Sequence, residues 1–156
     1  MFKVLFVCTG NICRSPTAEG VFRHRARLAE LGDMVLADSA GIGDWHTGEP
    51  PDHRSILTAR GRGYEIGDLR ARQVTRRDFS QFDLLLGMDR DHVAALRRMA
   101  PPKSVERARL FLDFSDTFQG RDVPDPYYGG QDGFEDVVTL IESGVEGLLQ
   151  HIRQET

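Results

Sequence analysis

Only two cysteines stand in 156 residues, too few for a disulfide scaffold, and neither glycine nor proline is abundant enough for a collagen-like or disordered chain. Long apolar runs are missing as well. The longest are Val4–Cys8 and the stretch about Leu84–Leu86, far below the ~18–20 residues that a bilayer span demands. Lys3 ahead of Val4–Cys8 imitates a signal peptide, but Thr9, Gly10 and Asn11 end the apolar stretch too early. The expectation is a cytoplasmic protein with no membrane partner, in a reducing compartment where two cysteines five positions apart point to chemistry rather than to a bridge. Basic excess is also lacking. The net charge is −4, and general nucleic-acid binding wants a basic footprint. No Gly-rich loop ends in Gly-Lys-Ser/Thr, which excludes an NTPase of that kind. His24, His46, His53, His92 and His151 have no paired ligand spacing, and Cys8 with Cys13 cannot close a zinc shell. No metal and no cofactor are called for.

What is present suits a small globular domain. The chain is 40% hydrophobic and 28% charged, and its length fits one domain, residues 1–156, able to bury roughly 70% of its unfolded surface. Charge is unevenly spread: residues 1–109 carry +4 and residues 110–156 carry −8. Arg23, Arg25, Arg27, Arg76, Arg77, Arg97 and Arg98 read as solvated helix faces.

Strand and helix signals alternate. Val4-Leu5-Phe6-Val7 reads as a strand buried on both faces. Ser15-Pro16 is a good helix start, and Ala18, Val21, Phe22, Ala26 and Ala29 give that helix an apolar face up to Gly32. Met34–Ala37 reads as a second strand ending at Ser39-Ala40-Gly41, followed by a loop over Gly41–Pro51 and a helix from Pro51 to Arg60. Thr75 to Asp78 resembles a capping box opening a short helix. Leu84–Leu86 is a buried strand, Asp89–Met99 a helix, Ala108–Leu112 a last strand, and Asp113–Gly130 a long loop. Asp132 with Glu135 resembles another capping box, and Phe134, Val137, Val138, Ile141, Val145, Leu148 and Ile152 mark a long closing helix. The expectation is an α/β fold: a single-domain, open, twisted parallel sheet of about four strands with helices on both faces.

In such sheets ligands sit beyond the carboxyl ends of strands, next to helix N-termini. Cys8-Thr9-Gly10-Asn11-Ile12-Cys13-Arg14-Ser15 occupies that place. Leaving a buried strand and entering a helix, it can converge backbone N–H groups on one anion. Gly10 and Asn11 tolerate left-handed backbone angles, and Arg14 offers a bidentate fork to phosphate oxygens. The same field favours negative charge on the Cys8 sulfur, to which Ser15 could donate a hydrogen bond. A thiolate at the base of a phosphate cradle is placed for in-line attack on phosphorus.

The run from Val4 to Pro16 resembles the signature of the low-molecular-weight protein tyrosine phosphatases. Asp38-Ser39-Ala40-Gly41, Ala71-Arg72-Gln73 and Asp125-Pro126-Tyr127-Tyr128-Gly129 support the resemblance in family order. It implies Cys8 as nucleophile through a phosphocysteine, Arg14 as the phosphate ligand with the amides of the loop, and Asp125 as general acid and then base. Thr9, Gly10, Asn11, Ile12, Cys13 and Ser15 would then form the substrate cradle, with Trp45, Tyr127 and Tyr128 walling the cleft. Asn11 and Ser39 match residues that brace the loop, and Glu19 either joins them or is an ordinary solvated carboxylate. Cys13 is either a small buried thiol or a redox guard that captures oxidised Cys8 in a disulfide. The resemblance further implies a tyrosine-phosphorylated protein as substrate and a cognate tyrosine kinase as partner. One departure stands out: members of the family it resembles often carry His two residues before Ala-Arg-Gln, supporting the Asn of the loop, where this chain has Leu69. Asn11 is therefore expected to be held less rigidly.

Rival readings use the same scaffold. Arsenate reductases need redox cysteines outside the loop, and none are present beyond Cys8 and Cys13. Phosphoarginine phosphatases favour Thr where Ile12 stands. A non-catalytic phosphate-binding module could dispense with Asp125. Asp89-Arg90-Asp91-His92-Val93 after Leu84–Leu86 also resembles the loop of haloacid-dehalogenase-like enzymes, with Asp89 as a Mg²⁺-assisted nucleophile, but no matching downstream set accompanies it.

Overall fold

A computed structural model describes residues 1–127 and 129–155. Its elements alternate as the hydrophobic pattern implies: β1 (Phe2–Cys8), α1 (Arg14–Leu28), β2 (Val35–Gly41), α2 (His53–Gly61), α3 (Asp78–Gln81), β3 (Leu84–Gly87), α4 (Arg90–Met99), β4 (Ala108–Leu110) and α5 (Gln131–Glu155). Short 3₁₀ turns at Pro102–Arg107 and Phe111–Phe114 flank β4. The strands form one sheet in the order β2-β1-β3-β4, and every pairing is parallel.

β1 runs through the middle, and its alternation explains why the whole run is apolar. Val4, Phe6 and Cys8 face a core shared with Val21 and Phe22 of α1 and Ile141 and Val145 of α5. Leu5 and Val7 face a smaller core with Phe79 and Leu96, beneath α3 and α4. A central strand covered on both faces has no polar side. Phe6 anchors the larger core, with its ring 5.6 Å from both Phe22 and Phe111 in edge-on packing.

The register places the site. Cys8 pairs with Gly41, and Val7 with Gly87, so three chain segments leave the carboxyl edge of the sheet side by side. The connection from β1 leads to β2 on one side, while β3 lies on the other. The order therefore reverses at β1, and the crevice between diverging connections opens there.

Several boundaries differ from the sequence reading for local reasons. Helix α1 begins at Arg14 rather than at Ser15, and its N-cap position, Cys13, makes no side-chain cap. Ser15 is turned inward to the loop instead. The same helix ends at Leu28, short of Gly32, because Glu30 enters the left-handed region at φ 60° and the Leu31 N–H closes on the Ala26 carbonyl at 2.8 Å. The α2 cap is Asp52, which accepts from the Arg54 N–H at 2.9 Å. Half of the expected box at Thr75 forms: its N–H donates to Asp78 Oδ2 at 2.8 Å. β4 stops at Leu110, since Phe111 and Leu112 turn into a 3₁₀ segment that buries both side chains. Asp132 lies inside the first turn of α5 rather than at its cap. Among the described residues no helix is long and apolar enough to cross a membrane.

Removing the Phe6 ring leaves a cavity between α1, α5 and the sheet. Phe6→Ala is expected to lower unfolding free energy by about 3–5 kcal/mol, measured by urea denaturation. A loss under 1 kcal/mol would contradict the role given to this ring.

Candidate active site

The turn from β1 to α1 is wound by hydrogen bonds on its outer side. The Cys8 carbonyl accepts from the Ile42 N–H (2.9 Å), Thr9 from Gly43 (3.0 Å) and Ile12 from Asp52 (2.7 Å), while Thr17 Oγ1 donates to the Cys13 carbonyl at 2.7 Å. In a trans peptide the N–H points opposite to the C=O. Holding these carbonyls outward turns the N–H groups of Thr9, Gly10, Cys13 and Arg14 to the inner side, which is how a backbone becomes an anion nest. Gly41 permits the close approach: a Cβ there would lie 3.0 Å from the Gly10 carbonyl carbon and the Thr9 oxygen.

Asn11 supplies the left-handed residue, at φ 59°, whereas Gly10 keeps an ordinary angle. The Asn11 amide is used at both ends: Nδ2 donates to Ser15 Oγ at 2.8 Å, and Oδ1 accepts from the Arg72 N–H at 3.0 Å. Leu69 instead packs against the larger hydrophobic core. The expectation that Asn11 is loosely held is thus corrected. Arg72 takes over the bracing through its backbone, and its guanidinium is anchored to Asp38 at 3.1 Å and Asp78 at 3.0 Å.

Cys8 ends β1 with its sulfur 3.0 Å from Ser15 Oγ. Arg14 is 3% exposed, and both terminal nitrogens have acceptors: Nη1 donates to Asp89 Oδ2 (2.9 Å) and to the Val123 carbonyl (3.0 Å), Nη2 to Thr9 Oγ1 (3.3 Å). Asp125 Oδ2 stands 3.6 Å from Nη2, with its side chain 42% exposed, and its Oδ1 accepts from the Tyr127 N–H at 3.0 Å.

Above this floor lies a cavity of about 330 Å³ lined by Cys8, Thr9, Gly10, Ile12, Cys13, Trp45, His46, Asp125 and Tyr127. Trp45 is 67% exposed at the rim. The Arg54 guanidinium lies 5.3 Å over the Tyr127 ring and 4.7 Å over that of Phe134. Tyr128 lies outside the described residues. Arg14, Asn11 and Ser15 are buried below the cavity. Ser39 and Glu19 are buried to one side, where the Ser39 hydroxyl donates to Glu19 Oε1 at 2.7 Å and Arg23 pairs with Oε2 at 2.6 Å. Glu19 is therefore no solvated carboxylate. Burial pushes its carboxyl above the ordinary range, against the Ser39 bond and the Arg23 charge.

Both cysteines are free. Burial pushes the Cys13 thiol up to about 12, so it stays a neutral thiol at physiological pH beside Cys8. Among the described residues no group of three His, Cys, Asp or Glu is arranged to hold a metal ion.

The sequence alone did not show the roles of two groups. Asp89 caps α4 by accepting from the His92 N–H at 3.0 Å while pairing with Arg14. This is incompatible with free access to it as a nucleophile, as the dehalogenase-like reading requires. Burial alone would raise the Asp89 carboxyl, but the His92 N–H and charge, with Arg14, hold it below the ordinary range. His92 is buried, accepts the Asp89 N–H on Nδ1 at 3.2 Å, and meets Thr9 Oγ1 through Nε2 at 2.9 Å. Burial and the neighbouring Arg14 charge push its ring down to about 4. The Asp-x-x-His spacing after a strand was the available signal, a helix cap at the same carboxyl edge.

The architecture defines an open α/β protein whose first strand–helix turn forms an anion cradle with a thiol at its base. A family model described as low molecular weight phosphotyrosine protein phosphatase matches residues 3–156. A low molecular weight protein-tyrosine-phosphatase of Streptomyces coelicolor is 46% identical, covering 99% of this chain and 95% of its own. The Bacillus subtilis protein YfkJ, of the same description, is 44% identical over 99% of this chain and 98% of its own, and its crystal structure superposes with a TM-score of 0.93 over 100% and 97% of the two chains. A protein tyrosine phosphatase structure from Entamoeba histolytica, 36% identical, reaches 0.96 over 99% of each. The chain belongs to the low molecular weight phosphotyrosine protein phosphatase family and is an enzyme of that class.

The His92 ring gives the fold a pH dependence. The unfolded chain protonates this residue near the ordinary ~6.5, the folded protein only near 4. Between those values the unfolded state binds more protons, so stability is complete above ~6.5 and falls as pH drops through the window. Glu19, shifted upward, acts in the opposite sense. Thermal denaturation between pH 7 and 4 is expected to fall more steeply for wild type than for His92→Gln; parallel curves would remove the assignment.

Proposed function

We propose that this chain hydrolyses phosphotyrosine in proteins through a phosphocysteine on Cys8, with residues 1–156 acting as one phosphatase domain. The observation that carries the reading is that one cavity is lined by both the Cys8 thiol and the Asp125 carboxylate, with the buried Arg14 guanidinium 3.6 Å from that carboxylate.

The aryl phosphate dianion enters with its oxygens on Arg14 and the N–H groups of residues 9–14. The Cys8 thiolate attacks phosphorus in line, forming the P–S bond as the P–O bond to the ring breaks. Asp125, protonated, gives its proton to the departing phenolate. The Asp125 carboxylate then takes a proton from water, whose oxygen attacks phosphorus. The P–S bond breaks, and inorganic phosphate and the thiolate are released. Ser15 donates to the sulfur as leaving group, and the cradle holds the equatorial oxygens throughout. The half-buried Ile12 offers an apolar surface to a substrate ring, with Trp45 and Tyr127 as walls. A phenyl ring fits this lining better than a guanidino group, which favours phosphotyrosine over phosphoarginine. The two free thiols at the site suit the reducing cytoplasm, where a cognate tyrosine kinase would supply the substrate.

Hydrolysis of an aryl phosphate with EDTA present tests the chemistry. Cys8→Ser is expected to lose at least about 10³-fold in kcat, and Asp125→Asn about 10²–10⁴-fold, with the deficit growing as the leaving phenol becomes less acidic. Full activity of Cys8→Ser, or a strict Mg²⁺ requirement, would sink the reading. Turnover of phosphoarginine against phosphotyrosine is expected to favour phosphotyrosine in wild type and to move toward phosphoarginine in Ile12→Thr.

A further inference from the structure

Arg14 is the phosphate ligand of the proposed mechanism, and its burial leaves open what keeps the fork facing the cradle. Its two terminal nitrogens have different partners on opposite sides. Nη1 is held by Asp89 at 2.9 Å and Nη2 by Thr9 Oγ1 at 3.3 Å. Both partners converge on one residue. The His92 N–H donates to Asp89 Oδ1 at 3.0 Å, and its Nδ1 accepts the Asp89 N–H at 3.2 Å, so the His92 backbone holds the carboxylate and its ring holds the Asp89 backbone. The other ring nitrogen lies 2.9 Å from Thr9 Oγ1. With Nδ1 an acceptor, Nε2 carries the proton and donates it to Thr9. Thr9 Oγ1 then accepts from both His92 and Arg14, and its own proton is left to face the cavity it lines.

We propose that His92 is a positioning residue for Arg14: by holding Asp89 with one side and Thr9 with the other, it clamps the guanidinium fork from both ends and tunes the cradle to the phosphoryl group in flight. This rests on the phosphocysteine reading above. A neutral ring suits the role, since a cation here would repel Arg14 at close range.

Two substitutions separate the clamp from mere packing. In His92→Asn the side-chain oxygen replaces Nδ1 and can keep the Asp89 cap, but the side chain is too short to reach Thr9. In His92→Gln the amide nitrogen takes the place of Nε2 and restores that reach. Thr9→Val, on the exposed loop, cuts the same link from the other end. For hydrolysis of an aryl phosphate, His92→Asn and Thr9→Val are each expected to lose about 10–100-fold in kcat/KM, mostly in kcat, with His92→Gln largely rescued. Inhibition by vanadate, which adopts the five-coordinate geometry, is expected to weaken in parallel, while inhibition by inorganic phosphate changes less than about threefold. The Thr9→Val/His92→Asn double variant is expected to be no worse than the poorer single one, because Thr9→Val already removes the His92–Thr9 bond that His92→Asn removes. Singles within twofold of wild type, multiplying losses in the double, or unchanged vanadate inhibition would each overturn the proposal. Should His92→Asn fail to fold, Thr9→Val and His92→Gln decide together: a Thr9→Val loss under twofold, or a His92→Gln loss as large as that of Thr9→Val, would overturn the proposal. A Cys8→Ser enzyme that still turns over overturns the phosphocysteine reading and this proposal with it; an inactive Cys8→Ser beside unimpaired His92→Asn and Thr9→Val overturns this proposal alone.

Discussion

The burial of the Arg14 guanidinium is the constraint on which the rest of this structure depends. A cation removed from water must be matched by acceptors in fixed places, or the desolvation cost destabilises the fold. Here two acceptors come from distant parts of the chain, Asp89 at the start of α4 and the Val123 carbonyl in the long loop, and a third, Thr9, from the turn itself. Each meets Arg14 only if the connections after β1, after β3 and before α5 are all in place. One side chain therefore ties three segments together, and it does so at the edge of the sheet where the strand order reverses.

The turn around Arg14 needs support of a second kind. Its carbonyls must face outward so that its N–H groups face inward, and the outward partners are supplied by Ile42, Gly43 and Asp52. These lie in the β2–α2 connection, which can come close enough because residue 41 has no side chain. Asn11 then locks the winding by reaching both Ser15 and the Arg72 N–H. The cradle is thus rigid for reasons outside itself. The walls differ: Trp45, Asp125 and Tyr127 stand on loops and are exposed, as suits groups that receive a substrate and release a product.

Much of the fold was readable from the chain. Apolar runs without alternation marked β1 and β3 as doubly covered strands, and the 3.6-residue period marked α5 over nearly its whole length. Boundaries were less legible, because tertiary contacts settle where a helix begins. Ser15 looks like a cap by residue type, but its hydroxyl is taken by Asn11 and Cys8, and α1 starts at Arg14. Of the site, the loop from Cys8 to Ser15 and the Asp125 segment could be picked out by order and residue type. Asp89 and His92 could not, since nothing local distinguishes a helix cap from a helix cap that also holds a buried cation.

Taken alone, the sequence determined the kind of site: a thiol and a guanidinium six residues apart on a turn leaving a buried strand, with a carboxylate far along the chain. Such features are local in composition, so they are legible in one dimension. Only the tertiary structure decided which acceptors match Arg14, that the Arg72 backbone braces Asn11 while Leu69 packs against the core, and that Glu19 is buried against Ser39 rather than solvated. The reason is physical. Apart from Thr9 within the turn, these partners lie 20 to 109 positions apart; such hydrogen bonds depend on how the connections cross the sheet edge, and no run of neighbouring residues carries that information.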